Sequence, residues 1–291
     1  TEGPAVSDPG LTYGVSWVDF DNDGDLDLFV SNIARSDQNA LYRNDGSGGL
    51  AKVTSGPLVT DSGGPSKGHT WGDFDNDGDL DLYVANGTEG TDDILGYFYR
   101  QLGDGSFERV LESPFDTDRH ISAGTAWSDY DNDGDLDIFV ANWGDNEEAN
   151  DLYRNQTSGA SWLALRLEGR QSNRMGIGAK VRLVVEMEGE TSTQHHWQLL
   201  NTGYGSQNAP IIHFGLGDAK VANTLEISWP SGKVDTHSNV EANRFWHAVE
   251  GSDLAPDPKK MISVSQAVEA AGLRAGRTPA KSNVNLNGRS H

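Results

Sequence analysis

The chain has 291 residues, a formal net charge of −22 at neutral pH and 35 glycines. A chain this acidic excludes nucleic acid as a partner, because phosphate binding needs a basic face. It contains no cysteine, so disulfides and thiolate metal sites are excluded, and we expect packing and hard cations to provide its stability. It has no run of about 18 apolar residues, which excludes a membrane-spanning helix. The start, TEGPAVSDPG, lacks an initiating Met and a signal peptide, which we interpret as a processed or trimmed N-terminus.

An acidic nonapeptide occurs three times in the first half of the chain. DFDNDGDLD occupies residues 19–27 and 73–81, and DYDNDGDLD occupies residues 129–137. Each copy is preceded two residues earlier by a tryptophan and is followed by alternating apolar residues, then by a Tyr-Arg pair. The period of two on both sides of the nonapeptide indicates a loop that joins two strands. The Tyr-Arg segment and the stretch after the next glycine turn supply two more strands, so each unit is typical of a propeller blade.

The nonapeptide has the spacing of a calcium-binding loop. Crowded carboxylates need a divalent cation, and calcium takes about six to eight oxygen ligands from a flexible loop with glycine at its sharp turn. With Asp19 at position 1, Asp21 and Asp23 fall at positions 3 and 5, the glycine at 6, the Asp25 carbonyl at 7 and Asp27 at 9. An EF-hand would need an acid at position 12, where each copy has valine. The spacing predicts about three Ca²⁺ ions, one per repeat, held by Asp19, Asp21, Asp23, Asp25, Asp27, Asp73, Asp75, Asp77, Asp79, Asp81, Asp129, Asp131, Asp133, Asp135 and Asp137.

These loops resemble the FG-GAP/VCBS repeats of integrin α-subunit propellers and of many secreted bacterial proteins, over roughly residues 11–157. The resemblance implies that the aspartates bind calcium. Closed propellers have about four to eight blades, whereas three units are visible here. We therefore assign residues 1–158 to three calcium-binding repeats in an open or incomplete propeller, whose edge something else must cover.

The composition changes after residue 157. Apolar stretches such as WLALRLEG and TLEISWPSGKVDT are separated by Gly, Asn and Ser turns, which predicts a second all-β unit, a sandwich, at residues 159–252. NRMGIGAKVRL, GYGSQNAPIIHFGLG and ISWPSGKVDT resemble the ASPIC/UnbV module. That module follows such repeats in secreted bacterial proteins and in the cartilage acidic protein family, and it implies an architecture rather than an activity.

Several weaker motifs have a structural alternative. GPSKG matches the nucleophile pattern G-x-S-x-G at Ser66, but no helix follows it, so a loop between blades is the better interpretation. GIGA and GYG lack the context of a dinucleotide site and are turn glycines. His195, His196 and His213 could meet on neighbouring strands as a metal site, without a motif to support it. Five tryptophans outside the loop motif offer either a sugar-stacking platform or core packing: Trp143, Trp162, Trp197, Trp229 and Trp246. Asn86 and Asn155 lie in N-glycosylation sequons and could carry glycans.

Residues 253–291 form a basic, polar tail. From residue 256 onward the net charge is +4, against −26 for the preceding residues. APDPKK is a linker and ISVSQAVEAAGLRAG a possible short helix, and a polar tail of this kind becomes ordered only by docking. If the tail docks on a neighbouring copy, the contact is heterologous and builds rings or filaments.

The sequence thus predicts an all-β protein made of three four-stranded repeats, a sandwich-like domain and an extended tail. We expect a secreted or cell-surface, calcium-binding, non-catalytic structural or adhesive protein that forms a homo-oligomer or filament. Calcium-dependent carbohydrate binding is the first alternative, with glycans or other extracellular proteins as partners. An enzyme with an unrecognised active site on a propeller scaffold is the second, although no nucleophile–base or acid–base set is legible.

Overall fold

The computed structural model describes residues 3–34, 37–61, 64–87, 95–111, 113–116, 120–143, 149–157, 159–200 and 203–257, and the backbone of residues 281–284. Strands dominate these residues. The helices are single turns, α1 (Pro4–Ser7), α2 (Pro57–Thr60) and a 3-10 turn (Pro114–Asp116). None of the described helices has the length and apolarity to cross a bilayer. The possible helix predicted in the tail lies outside the described residues.

The first two repeats are four-stranded antiparallel sheets in chain order, as predicted. In each, the first two strands form the hairpin that carries the acidic loop, and the Tyr-Arg pair lies on the third strand. The strands of these sheets are β1 (Thr12–Val18), β2 (Asp27–Asn32), β3 (Ala40–Asn44), β4 (Leu50–Lys52), β5 (Ser66–Gly72), β6 (Asp81–Asn86), β7 (Tyr97–Leu102) and β8 (Ser106–Arg109).

The third repeat contributes three strands to its sheet: β9 (Ser122–Ser128), β10 (Asp137–Asn142) and β11 (Asp151–Asn155). It lacks the glycine turn that leads into the fourth strand in the other two repeats, and the chain continues from β11 to the next sheet. The fourth strand of this sheet comes from the far end of the chain, as described below.

A β-sandwich follows the repeats, as predicted. Its two four-stranded sheets have the orders β15-β12-β18-β19 and β14-β13-β16-β17, and β12 and β18 run parallel while the other pairs are antiparallel. Alternate residues of both sheets, including Leu165, Leu183 and Phe214, are fully buried in one shared core. The strands are β12 (Ser161–Glu168), β13 (Lys180–Met187), β14 (Glu190–Trp197), β15 (Ile212–Gly217), β16 (Val221–Ser228), β17 (Val234–Glu241), β18 (Arg244–Val249) and β19 (Ala255–Pro256).

The end of the chain returns to the repeats. Strand β20 (Lys281–Val284) pairs in parallel with β11 and completes the third sheet in the order β20-β11-β10-β9. The sandwich itself extends to β19, where Asp257 accepts two hydrogen bonds from the Arg166 guanidinium at 2.6 and 2.8 Å. The first residues after the predicted boundary at 252 therefore pack with the sandwich.

Neighbouring repeats bury one another's first strands. Every residue of β5 is buried, whereas β1 is buried only on alternate residues, because a repeat covers each face of the second sheet but only one face of the first. Trp71 packs edge-on against Phe29 of the first repeat, and Trp127 packs against Phe74 of the second. Trp17 is not covered by another repeat among the described residues and is 49% exposed. The three repeat tryptophans, equivalent by sequence, are thus inequivalent by burial.

The GYG segment of the sandwich lies against the first strands of all three repeats. Tyr204 contacts Tyr13 with ring centroids 5.4 Å apart, and its carbonyl oxygen lies beside Gly124. Asn208 accepts hydrogen bonds from the Thr70 hydroxyl and from the backbone N–H of Trp127, at 2.9 and 3.0 Å. The segment therefore contacts β9, the first strand of the third repeat, and it also contacts β1 of the first repeat. No fourth repeat packs on the third repeat among the described residues.

We expect Gly203→Ala to destabilise the protein much more than Gly205→Ala. Both glycines have positive φ, 75° and 62°, so either alanine costs about 1 kcal/mol or more of backbone strain. A Cβ at Gly203 would also overlap the carbonyl oxygen of His69, whereas nothing lies within 4 Å of a Cβ at Gly205. Thermal denaturation of both variants measures the difference, and equal melting temperatures would show that this segment does not pack on the repeats as described.

Candidate metal centres

The first, third and ninth residues of each acidic loop converge. In each loop, one carboxylate oxygen from each of these three aspartates lies within 4.8 Å of the other two. The first and ninth aspartates are buried and the third is partly buried. Among the described residues, these are the groups of acids and histidines that could hold a metal: Asp19, Asp21, Asp27; Asp73, Asp75, Asp81; Asp129, Asp131, Asp137.

The loop backbone is folded around its first aspartate. Asp19 Oδ1 accepts a hydrogen bond from the N–H of Asp23 at 3.1 Å, and Oδ2 accepts one from Gly24 at 2.9 Å. The same pair of bonds occurs in the other two loops. Gly24 has φ 97°, as the glycine register requires, and Asn22 at position 4 has φ 56°. Asparagine tolerates this left-handed conformation, and its presence at position 4 of all three copies was a signal that the motif analysis missed.

The ninth aspartate connects the loop to the rest of the sheet. Asp81 Oδ2 accepts a hydrogen bond from the Phe74 N–H at 3.0 Å, and Oδ1 accepts one from the Gln101 N–H on β7 at 2.8 Å. Asp27 and Asp137 make the equivalent bonds, to their own loops and to their third strands. One carboxylate in each repeat therefore fixes three strands and also belongs to the candidate metal centre.

The fifth and seventh aspartates lie outside these groups of three. Asp23 Oδ1 accepts a hydrogen bond from the N–H of Asp25 at 3.0 Å, so the fifth residue closes a local turn, and the other loops do the same. At position 7, Asp135 Oδ1 accepts a hydrogen bond from the Asn76 side chain of the second loop at 3.0 Å. The geometry brings together positions 1, 3 and 9 of the predicted ligand set and places the side chains at 5 and 7 in supporting contacts.

The third aspartates supply the observation that fits a cation. Oδ1 of Asp21, Asp75 and Asp131 is buried and receives no hydrogen bond of normal geometry. A buried carboxylate oxygen without a donor is costly, and a hard divalent cation surrounded by carboxylates removes that cost. The same oxygen atom lacks a hydrogen-bond donor at position 3 of all three loops. The residues present therefore fit calcium, with positions 1, 3 and 9 as the side chains that would hold it.

The arginine of the Tyr-Arg pair faces the same carboxylates in two repeats. Arg43 Nε lies 2.6 Å from Asp21 Oδ2, and Arg154 Nε lies 2.6 Å from Asp131 Oδ2. In the second repeat Arg100 contacts Glu108 instead. The recurrence of this arginine indicated a strand, and the structure adds that in the first and third repeats it partly offsets the charge at the rim of the loop.

Burial makes these carboxylates hard to ionise in the absence of a cation. The pKa of Asp19, Asp27 and Asp129 is raised to about 7, mainly by desolvation; the neighbouring aspartates add to the rise, and backbone hydrogen bonds oppose it. Desolvation likewise raises the pKa of Asp137 to about 9. In the second loop, burial followed by repulsion from the neighbouring carboxylates raises the pKa of Asp73 and Asp81 well above the ordinary value. Ionising a whole loop at neutral pH therefore requires a compensating positive charge.

These shifts predict how pH changes the stability of cation-free protein. A carboxyl whose pKa is raised in the folded state binds its proton more tightly there, so its contribution to stability is complete below the unfolded pKa and is lost as pH rises through the folded pKa. For Asp19, Asp27 and Asp137 that loss falls between about pH 5 and pH 9. We expect protein stripped of metal on a chelating resin to melt at lower temperature at pH 8.5 than at pH 6.

Calcium should flatten or reverse this dependence, because the ion binds the ionised loop and its contribution grows with pH. Differential scanning calorimetry at several pH values, with and without calcium, measures both slopes. A stripped protein that melts higher at pH 8.5 than at pH 6 would contradict the account of the loops.

The sandwich packs directly on the loops. Gly215 on β15 donates its N–H to Asp73 Oδ2 at 2.9 Å, so the sandwich contacts the first aspartate of the second acidic loop directly. Asn76 Oδ1 contacts His213 Nε2 at 2.7 Å. At the third loop, a Cβ on Gly134 would overlap the Trp162 indole, so the turn glycine is also needed for this close approach. Folding of the candidate metal loops and docking of the sandwich are thus coupled through named contacts.

The weaker sequence motifs have structural positions. Ser66 is not in a loop: it is the first residue of β5, and its buried hydroxyl donates to Asn86 Oδ1 at 2.7 Å. His195, His196 and His213 do not form a metal-binding group among the described residues. Of the five tryptophans proposed as a sugar platform, Trp162 and Trp229 are buried, so the five do not form one exposed surface.

Both sequon asparagines are buried in the folded protein. The Asn86 side chain donates to the Leu95 carbonyl at 2.9 Å, and the Asn155 side chain donates to the Phe74 carbonyl at 2.7 Å. Their exposed fractions are 0% and 3%. A glycan on either nitrogen would break a buried hydrogen bond between chain segments.

Comparison with protein families agrees with the geometry. Residues 19–84 and 85–140 match the family described as FG-GAP-like repeat, and residues 169–255 match the family described as ASPIC and UnbV. The chain consists of FG-GAP-like repeats followed by an ASPIC and UnbV domain. The matched FG-GAP-like segments include all three acidic loops, and the ASPIC and UnbV segment includes six whole strands of the sandwich, β13 to β18, and the first residue of β19.

The FG-GAP-like and ASPIC and UnbV arrangement is shared with known relatives. The chain is 27% identical over 236 residues to cartilage acidic protein 1 of Mus musculus, covering 77% of this chain and 34% of that protein. It is 26% identical over 232 residues to the Homo sapiens protein, covering 76% and 33%. The Xenopus tropicalis protein is 26% identical over 239 residues, covering 78% and 35%. The chain thus spans about a third of the length of these relatives.

Proposed function

We propose that this protein is an extracellular, calcium-stabilised, non-catalytic structural or adhesive component. The observation that carries the proposal is the buried carboxylate oxygen that lacks a donor at the third position of each loop. Three such loops in one chain without disulfides supply the cross-links that small secreted domains obtain from cystine. The ions would connect strands rather than activate a substrate, because each first and ninth aspartate is buried and bonded to backbone N–H groups.

The extracellular location expected from the sequence is supported by the similarity to cartilage acidic protein 1. Extracellular calcium is abundant, so weak sites on the order of 10⁻⁴ to 10⁻³ M are occupied there. A net charge of −22 keeps such a protein solvated and attracts cations.

Terbium luminescence tests this proposal because each loop has its own sensitiser. Trp17, Trp71 and Trp127 stand two residues before the loops, and terbium occupies calcium sites with the same oxygen ligands. Excitation of tryptophan should give terbium emission that calcium displaces and that Asp75→Asn reduces by about a third. An Asp104→Asn variant, in an exposed turn of the same repeat, is the matched control and should keep full emission. No sensitised emission, or equal emission from both variants, would contradict the proposal.

Self-assembly by strand exchange is a second candidate function, favoured by β20. This strand pairs in parallel with the edge of β11, in a register that opposes Leu152 to Lys281. The intervening residues 258–280 number 23, a chain that when extended spans at most roughly 75 Å. We propose that the β20 segment of one copy occupies the β11 edge of another, which links copies head to tail and gives the oligomer or filament expected from the tail.

Engineered cysteines distinguish exchange from pairing within one chain, since the natural chain has none. Leu152→Cys protein is mixed with Lys281→Cys protein under mild oxidation, and the double variant is oxidised alone at low concentration. Strand exchange predicts a disulfide-linked dimer that carries one copy of each variant, whereas a crosslink confined to the double variant monomer would refute it. Leu152→Cys protein mixed with Lys233→Cys protein, whose cysteine is at an exposed position on the sandwich, is the control for disulfides formed by random collision.

A further inference from the structure

A cavity of about 170 Å³ lies between the three repeats and the sandwich. Each repeat contributes its tryptophan and the leucine at position 8 of its loop, and the sandwich contributes apolar residues of β14, β15 and β18. Most of the wall is buried, but Trp17 and Leu199 are 49% and 36% exposed, so the cavity opens to solvent between them. Residues that line the wall include Trp71, Trp127, Leu80, Ile212 and Phe245.

One wall residue has an unused hydrogen-bond donor. Trp127 is 4% exposed, and its Nε1–H has no acceptor. The equivalent donor one repeat earlier is satisfied, because Trp71 Nε1 donates to Ser16 Oγ at 3.1 Å. Thr70 stands where Ser16 stands in the previous repeat, but its hydroxyl donates to Asn208 instead. The Thr70 hydroxyl is thus hydrogen-bonded to the sandwich, and Trp127 Nε1–H has no acceptor equivalent to Ser16.

Trp127 is itself a wall residue, and its indole borders a second one, Gly72: a Cβ added at Gly72 would be 3.4 Å from Trp127 Cδ1, the carbon bonded to Nε1. The cavity thus combines a mostly apolar wall with a buried donor that lacks an acceptor on one wall residue, which is a composition typical of a small-molecule site. An isolated buried N–H costs free energy that an acceptor from a ligand recovers.

We propose that this cavity binds a small neutral molecule that has a flat apolar body and one hydrogen-bond acceptor. The size follows from the volume, since an apolar cavity of about 150 Å³ accommodates benzene. An anion would be repelled by the wall, which includes the first aspartate of each acidic loop, and burying any charge in a largely apolar cavity costs its hydration free energy, so the expected molecule is neutral. The acceptor pairs with Trp127 Nε1, and the body lies against the indole and leucine side chains. This site is independent of the structural role proposed for calcium.

The test uses two probes of matched shape, 4-fluoroacetophenone with a carbonyl acceptor and 1-ethyl-4-fluorobenzene without one. Fluorine NMR of each probe with the full chain in calcium buffer gives its Kd from line broadening. We expect saturable binding of both, with the ketone about fivefold tighter, as one hydrogen bond to a buried donor provides. Failure of both probes to bind, as for a cavity that holds water alone, would overturn the proposal.

Two variants assign the effect to the donor and to the cavity. Trp127→Phe keeps an aromatic wall but removes Nε1–H, so the two probes should bind about equally. Trp71→Phe is the matched control, because its lost donor serves Ser16, and the preference for the ketone should persist. Ala209→Leu narrows the cavity at a partly exposed wall residue and should weaken both probes at least fivefold. A ketone preference that survives in Trp127→Phe would refute the assignment, and circular dichroism confirms that each variant is folded.

Discussion

Removal of calcium should lower the melting temperature of this protein by roughly 15 °C or more. A ligand that binds only the folded state at 100 times its Kd adds about 2.7 kcal/mol, so three sites add about 8 kcal/mol. A change of about 1 kcal/mol shifts the melting temperature of a chain of this size by about 2–4 °C. The physical reason is that each loop gathers three buried or partly buried carboxylates around an oxygen that has no donor. Differential scanning calorimetry with excess EDTA, against protein in calcium at about 100 times its Kd, measures the shift.

Magnesium is the control for this prediction. It demands near-ideal octahedral geometry and gives up its water reluctantly, so it should restore only a small part of the loss. Restored calcium should recover the original melting temperature. An unchanged melt in EDTA would show that the loops are solvated acidic turns, and full recovery with magnesium would show that the loops do not select calcium.

Asp81→Asn should be among the most destabilising single substitutions in the chain. Asp81 is 1% exposed, and its two oxygens accept hydrogen bonds from the backbone N–H groups of Phe74 and Gln101. An asparagine NH₂ group would face one of these donors, which leaves two buried donors opposed and removes one calcium ligand. We expect a loss of about 3 kcal/mol in calcium, on the order of 5–10 °C in melting temperature.

The cost of this substitution should depend on calcium. Burial raises the pKa of Asp81 well above its ordinary value, so metal-free protein favours the protonated, uncharged carboxyl, which asparagine resembles more closely than it resembles a carboxylate. Asp81→Asn should therefore cost much less in stripped protein than in calcium. The exposed control Asp104→Asn should change stability by less than about 0.5 kcal/mol in both conditions. If Asp81→Asn lowered the stability equally with and without calcium, this residue would not take part in a metal centre.

Local periodicity explains why much of the repeat fold could be predicted from the sequence. The alternation around each nonapeptide predicts β1 and β2 and their equivalents, and the glycine at position 6 fixes the loop register because only that residue suits the turn. The Tyr-Arg pairs predict the third strands correctly. These features are determined within about thirty residues of chain, where pattern and propensity agree.

Contacts between distant segments have no such periodic signal. The parallel pairing of β20 with β11, the packing of GYG on the repeats, and the hydrogen bond from Gly215 to Asp73 join residues more than 75 positions apart. The count of three repeats predicts an open array with an uncovered edge. In the structure, β20 pairs with β11 and the GYG segment packs on the first strands of the repeats, and the composition of neither segment indicates where it docks.

The same limit applies to the ligand set. Spacing alone cannot separate aspartates that point inward from those that support the turn, so all five in each loop were candidates. The structure divides them: positions 1, 3 and 9 converge, while Asp23 and its equivalents accept hydrogen bonds from the loop backbone, and Asp135 at position 7 accepts one from Asn76. Although the second loop is identical in sequence to the first, burial between two repeats and the sandwich raises the pKa of its first aspartate, Asp73, well above the ordinary value.

Native mass spectrometry of the full chain in calcium-containing ammonium acetate tests the central claim most directly. The account predicts a dominant species that carries three calcium ions, and it predicts that Asp21→Asn, Asp75→Asn and Asp131→Asn each carry two, because each removes the carboxylate left without a donor in one loop. The exposed control Asp104→Asn should retain three. A chain that carries no specifically bound calcium, or one whose ion count is the same in all four variants, would contradict the claim that these loops are three separate calcium centres.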